Sequence, residues 1–209
     1  MRILGRVWLC GLVTVAGCAA STAFATTWRN PEITPVRLDG QKVIALVMSS
    51  NEATRRNAED ALAAQISAKG GQGVPGWTIL PTAETQNEER ARTAIASSGA
   101  VAVVTMEVVG QTQVSNAPNV RVGMRWSNHG SFWPHYRHSW GVAWSGAPPP
   151  RTNVFVETSV HTLDPDELVW AGRSKSRNME SLDALFAQVA NEVAAEFQRV
   201  GLLKNSTGD

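Results

Sequence analysis

The sequence predicts a single α/β domain on a mixed β-sheet, with two crossover helices, a late β-hairpin and a C-terminal helix packed on the sheet. Three observations carry that expectation. Two apolar runs, Lys42–Met48 and Ala100–Val109, stand apart with helical patterns between them. Strands alternating with helices imply right-handed crossovers and at least partly parallel pairing. Two alternating segments, Asn153–Thr162 and Leu168–Ser174, flank a turn sequence, and a single apolar stripe fills the last part of the chain. At 209 residues the chain has enough length for one domain with a real core.

Taken in order, Met1 to Gly17 has the three parts of an export signal: basic Arg2 and Arg6, an apolar run from Val7 to Ala16, and a small-residue end. That run is far shorter than the roughly 20 apolar residues a bilayer crossing needs. Its end, Val15-Ala16-Gly17-Cys18, reads as a lipobox, which predicts acylation of the Cys18 thiol and cleavage before it. Multiple acyl chains meet the roughly two-signal requirement for stable anchoring. Ala19 follows, with no aspartate there, which points to the outer membrane with the domain facing the periplasm. A rival cleavage at Ala23-Phe24-Ala25 would release a soluble periplasmic protein starting at Thr26. Both cysteines, Cys10 and Cys18, lie in this region, so the body forms no disulfide.

Residues 18–27 read as a lipid-anchored tether, 28–203 as the domain and 204–209 as a tail. Pro31 and Pro35 favour an extended arm or edge strand. Lys42–Met48 is β-branched and continuously apolar, as in a strand covered on both faces. Ser49 with Glu52 forms a capping-box pattern, and Ala58, Ala61, Leu62 and Ile66 continue a helix to Lys69-Gly70. Gly70–Gly76 reads as a loop, Trp77–Leu80 as a short strand ended by Pro81, and Thr85 with Glu88 as a second capping box. Ala91, Ala94 and Ile95 face inward, and Gly99 closes that helix. The hairpin turns at Asp164-Pro165-Asp166-Glu167, and its alternation predicts one exposed face. Leu182, Leu185, Phe186, Val189, Val193, Phe197 and Val200 form the stripe of the last helix, with Gly201 at its cap.

Several chemistries are excluded or disfavoured. The net charge is +1, and about −1 once Arg2 and Arg6 leave with the signal, so no basic face for nucleic acid is expected. Gly71-Gln72-Gly73-Val74-Pro75-Gly76 spells a dinucleotide fingerprint, but it follows a helix and opens a strand, the reverse of what that site needs. The carboxylates Asp164, Asp166 and Glu167 read as a solvated turn, His161 as a half-exposed strand residue, and Arg55 and Arg56 with Glu59 and Asp60 as helix-surface pairs. No catalytic residue, cofactor or metal is expected.

Residues 110–150 do not fit the scaffold. They hold Trp126, Trp133, Trp140 and Trp144, with Phe132, Tyr136, His129, His135 and His138, and no Asp or Glu. Four readings stay open: an aromatic flap folded back on the domain or self-associating, a loop binding a partner or ligand, a membrane-interface loop, or a metal site. Trp126, Trp133, Tyr136, Trp140 and Trp144 are the candidate contact residues, because aromatic side chains supply most interface anchor energy. Against a metal, Pro134 and the glycines disfavour a helix that would align His135 with His138, and no Cys, Asp or Glu completes a zinc site.

Trp28 with Pro31, the apolar strand, Arg55-Arg56 with Glu59-Asp60, Gly73-Val74-Pro75, Gly99 to Val104, Leu168 to Gly172 and Val200 to Leu203 together resemble the layout of a broad group of bacterial envelope lipoproteins without assigned activity. The resemblance covers about residues 28–109 and 151–203. In layout it extends to the penicillin-binding-protein activator LpoB, the curli secretion lipoprotein CsgG and the amino-terminal domain of TolB, likenesses of fold that imply no catalytic residue. The expectation is a membrane-anchored, non-enzymatic accessory or binding module. Its partner would be an envelope protein, peptidoglycan or a second copy. The alternative is an oligomeric transport or pore component that inserts residues 110–150.

Overall fold

The computed structural model describes residues 21–34, 36–113, 130–141, 143, 152–177 and 179–204. Residues 1–20, where the export signal and lipobox with Cys10 and Cys18 are expected, and Trp126, His129 and Trp144 lie outside them. The strands are β1 (Ser21–Arg29), β2 (Lys42–Met48), β3 (Gln72–Pro75), β4 (Ala102–Gln113), β5 (Thr152–Thr162) and β6 (Leu168–Arg177), and the helices are α1 (Glu52–Ala68), α2 (Glu88–Ser97), α3 (Phe132–Gly141) and α4 (Leu182–Arg199). The strands form one mixed sheet in the order β1-β6-β5-β4-β2-β3. β2 runs parallel to both β3 and β4, and the remaining pairs are antiparallel.

Chain direction decides which face each crossover helix covers. From β2 the chain passes through α1 to β3 on one side, then returns through α2 to β4 on the other. Right-handed crossovers that reverse direction put their helices on opposite faces. Accordingly α1 and α4 pack on one face, against Val43, Ala45, Val47, Val104 and Val156. On the other face, Ala91 and Ile95 of α2 meet Ile44, Leu46, Met48 and Val103.

Both capping boxes fall two residues from the caps that form. Asn51 Oδ1 accepts the Thr54 amide at 3.0 Å, and Asn87 Oδ1 accepts the Arg90 amide at 3.1 Å. Ser49 and Thr85 are buried, and the Thr85 hydroxyl donates to the Thr82 carbonyl instead. The strand expected at Trp77–Leu80 is displaced too. β3 is Gln72–Pro75, and Gly76–Thr78 is a 3₁₀ turn. A side chain at Gly73 would overlap the Ala63 backbone. The glycines that read as a loop are therefore what lets α1 close onto β3.

Residues 21–27, read as tether, belong to β1. Phe24 packs edge-on to Trp170, and Trp170 edge-on to Phe197 of α4, with ring centroids 5.5 and 5.3 Å apart. Thr22 bonds Ser176 of β6 and Gln188 of α4 at 2.8 and 3.1 Å. The hairpin also departs from expectation, because β5 is buried along both faces until its last residue. Its polar positions Glu157, Thr158, Ser159 and His161 are inside, and the half-exposed strand residue expected at His161 is fully buried.

A second correction concerns α1. Arg55 and Glu59 form no surface pair; they are 1% and 0% exposed. Because β3 stops at Pro75, opposite Ala45, the β2 amide beyond it lacks a strand partner on that side. Glu59 Oε1 accepts that Val47 N–H at 3.2 Å, Oε2 accepts the Trp77 N–H at 2.5 Å, and the Arg55 guanidinium donates at 3.3 Å. Arg55 in turn donates to Thr82 Oγ1 at 2.8 Å. Only Arg56 and Asp60 stay outside, Arg56 over the Trp77 ring at 5.2 Å and Asp60 accepting its indole N–H.

Glu59→Ala leaves two amides and a guanidinium buried without their acceptor. Breaking a buried pair in this way costs roughly 3–5 kcal/mol. The variant is expected to show that loss as a lower urea midpoint with an unchanged m value.

Candidate functional site

The aromatic segment supplies the missing cover for the second face. Phe132, His135, Tyr136 and Ser139 recur at the spacing of one helix face, and all four are buried. Pro134, taken from sequence as a breaker, is the third residue of α3. The first turn of a helix has no intrahelical acceptor for its amides, so proline costs no bond there. The cap comes from far along the chain: Asp166 Oδ1 accepts the Phe132 amide at 2.6 Å, and Oδ2 accepts the Ser131 hydroxyl at 3.1 Å. Asp166 is thus the helix cap and no solvated turn residue. A carboxylate at a helix N-terminus is also favoured by the helix dipole.

Under α3 the hydrophobic layer gives way to polar groups. Thr105 Oγ1 of β4 lies 3.0 Å from His135 Nε2 and 2.7 Å from Ser159 Oγ of β5. The His135 and His161 rings stack at 5.3 Å with 26° between planes. Further along the same face the Arg173 guanidinium meets the Glu157 carboxylate at 2.7 Å, both buried. Burial, and then the neighbouring His135, push His161 down to about 3. Its Nε2 has no hydrogen-bond partner among the described residues, so an imidazolium there would bury an unmatched N–H.

Of the candidate contact residues, the structure gathers Trp133, Tyr136 and Trp140 on α3, while Trp126 and Trp144 lie outside the described residues. Tyr136 is 1% exposed, and its hydroxyl donates to the Thr85 carbonyl at 2.6 Å. Burial raises its ionisation point above the ordinary value. Trp133 is half-buried beneath the Arg92 guanidinium, 4.2 Å from its ring centre. Residues 132–141 cannot leave the domain without exposing Phe132 and Tyr136. His135 is buried and His138 exposed, and no group of three or more His, Cys, Asp or Glu placed to hold a metal occurs among the described residues.

Where α3 meets the start of α2, an open cleft of about 380 Å³ forms between Thr85, Gln86, Glu88, Tyr136, Arg137 and Trp140. Glu88 fastens its rim, accepting from Arg137 Nε at 2.7 Å with one oxygen and from Arg92 at 2.8 Å with the other. The Arg137 hydrogen bond, then that of Arg92, holds Glu88 below the usual carboxylate range. Sequence reasoning missed Gln86, Glu88 and Arg137. The helical repeat of residues 132, 135, 136 and 139 would have signalled α3, but nothing local links α3 to Thr85.

The chain matches no family model and no curated protein. Among solved structures it is similar to a point variant of the PelC dodecamer from Paraburkholderia phytofirmans, with a TM-score of 0.43 at 11% identity, over 84% of this chain and 96% of that one. A second PelC dodecamer structure from the same organism gives 0.42 at 14% identity, over 90% and 100%.

Two outcomes follow from this geometry. Asp166→Ala is expected to cost about 1–2 kcal/mol, typical of a lost cap, and amide exchange should accelerate first in α3. For His161, the unfolded chain takes up a proton near pH 6.5 and the folded chain only near 3. The stability it contributes is therefore complete above pH 6.5 and is lost as the pH falls towards 3, by at most about 1.4 kcal/mol per pH unit. Urea titrations of His161→Gln across that window should show a flatter pH dependence than the parent; an identical slope would contradict the burial argument.

Proposed function

We propose that this chain is an envelope lipoprotein whose α/β domain is anchored to the membrane through Cys18 and acts as a non-enzymatic binding or accessory module, facing the periplasm from the outer membrane. The observation that carries the proposal is where β1 begins. The lipobox-like Val15-Ala16-Gly17-Cys18 is followed by only Ala19 and Ala20 before the strand starts at Ser21. Cleavage before Cys18 keeps all nine residues of β1 in the mature protein. The rival cleavage after Ala25 removes Ser21 to Ala25. With them go Phe24, which closes the edge of the core against Trp170, and Thr22, which bonds β6 and α4.

The short spacer also constrains how such a module would work. From Cys18 to Ser21 the chain spans roughly 11 Å when fully extended. A lipid on Cys18 would hold the start of β1 at headgroup level and present the rest of the domain in a restricted orientation. Binding would then fall to surfaces away from β1. The cleft between α2 and α3 is one of these, with aromatic groups inside and fixed charges at the rim, the arrangement of a small-ligand or peptide site.

Intact-mass analysis of the mature protein from native membranes tests the anchor. The expected result is an amino-terminal Cys18 carrying fatty acyl chains, lost from the membrane fraction on Cys18→Ser. An unmodified amino terminus at Thr26 would refute it.

A further inference from the structure

We infer that the cleft between α2 and α3 is a saccharide subsite, which takes a pyranose ring of an envelope glycan with the ring's C–H face against Trp140 and its hydroxyl edge towards Arg137 and Gln86. This deepens the binding-module reading and rests on it only for the setting in the envelope.

The cleft has two unlike sides. One is aromatic: Trp140 is half-buried, and it meets Tyr136 edge-on with centroids 6.1 Å apart and 68° between planes. Tyr136 is 1% exposed and backs Trp140 from inside, so the open part of the Trp140 ring is the platform, and it suits a puckered ring with an apolar face because an aromatic face is a large and rigid apolar contact. The other side is polar and already set in place. Arg137 gives its Nε–H to Glu88, and among the described residues no bond engages its two terminal amino groups. The Gln86 amide is exposed at the same rim and offers both donor and acceptor.

Charge narrows the ligand class. Glu88 is held by Arg137 and Arg92 together, so its charge is matched inside the protein. That leaves a surplus of one positive charge spread over an exposed rim. A site built for a strong anion would converge several charged groups on one point, whereas this rim offers the donors of one guanidinium already paired to Glu88 and the neutral amide of Gln86, spaced around a ring-sized opening. The volume, about 380 Å³, lies in the range of small-ligand sites. The cleft is open to solvent rather than enclosed, so a chain of sugars can run through it with one unit seated.

The test is isothermal titration calorimetry on the full mature protein, solubilised in a detergent without a sugar headgroup. The probes are three tetrasaccharides: N-acetylglucosamine tetramer, cellotetraose and tetragalacturonate. They separate acetamido, neutral and acidic rings of the same shape. Saturable binding of at least one is expected. Trp140→Ala and Arg137→Ala should each weaken it by about tenfold or more at a temperature where circular dichroism shows both variants folded, with Trp140→Phe, which keeps an aromatic ring, retaining most of the binding, while Arg90→Ala, outside the cleft, should leave it unchanged. Absence of saturable binding for all three probes, or binding that both cleft variants retain, would overturn the assignment. Because the readout is independent of the state of Cys18, its failure would leave the anchor proposal standing, and the reverse also holds.

Discussion

A carboxylate with no exposure to water, that of Glu59, ties together the parts of this domain that meet at the end of β2. It accepts the β2 amide that β3 is too short to reach, the first amide of the turn after β3, and the guanidinium of Arg55. Desolvation opposes burying such a group and raises it to about 7 in spite of those donors. The fold tolerates this because the alternative is worse: β3 ends at Pro75, and without Glu59 the Val47 and Trp77 amides would lose their acceptor and the buried Arg55 guanidinium its counter-charge, keeping only Thr82. Arg55 then carries the connection on to Thr82, beside the segment that leads into α2. One charged group thereby fixes the position of both crossover helices relative to the strand between them.

The second face of the sheet shows a related logic at the level of a whole element. On the β2 side it is apolar and takes α2 as an ordinary cover. On the β4–β5–β6 side it carries Thr105, Ser159, His161, Glu157 and Arg173, all buried. Such a surface needs a cover that brings both apolar area and hydrogen-bonding capacity. Over Thr105 and His161 α3 does so, with the Phe132 ring against the His161 ring and His135 bonded to Thr105 and stacked on His161. The cleft beside it is a by-product of this packing. Tyr136 must reach Thr85 to satisfy its hydroxyl, and Arg137 and Trp140 are carried to the surface next to it.

Placement of β1 links the fold to the proposed role. An edge strand that starts three residues after the lipidation candidate leaves no length for a free-swinging tether. Pairing of Ser21 with Arg177 puts the start of β1 beside the end of β6. Under the proposed anchoring the domain is held by that corner, and the distance of its α2–α3 cleft from the membrane is set by the sheet rather than by a linker.

Apolar periodicity by itself determined the class of this fold. The runs 42–48 and 100–109, the helices that follow strands, the hairpin and the stripe of α4 are all patterns of burial, and burial is what those residues express locally. Everything that depended on a distant partner was decided only in three dimensions. Ser49 and Thr85 looked like caps, but asparagines two residues on took that place. Gly73 looked like loop until the Ala63 backbone came against it. The polar residues of β5 looked solvated until a second layer covered them. Pro134 argued against a helix until Asp166, 32 positions along the sequence, supplied the cap that starts one. The asparagine caps are local and lie only two residues from the expected ones, whereas for Gly73, β5 and Pro134 the deciding atom lies close in space and ten or more residues away in sequence, where local propensity cannot anticipate it.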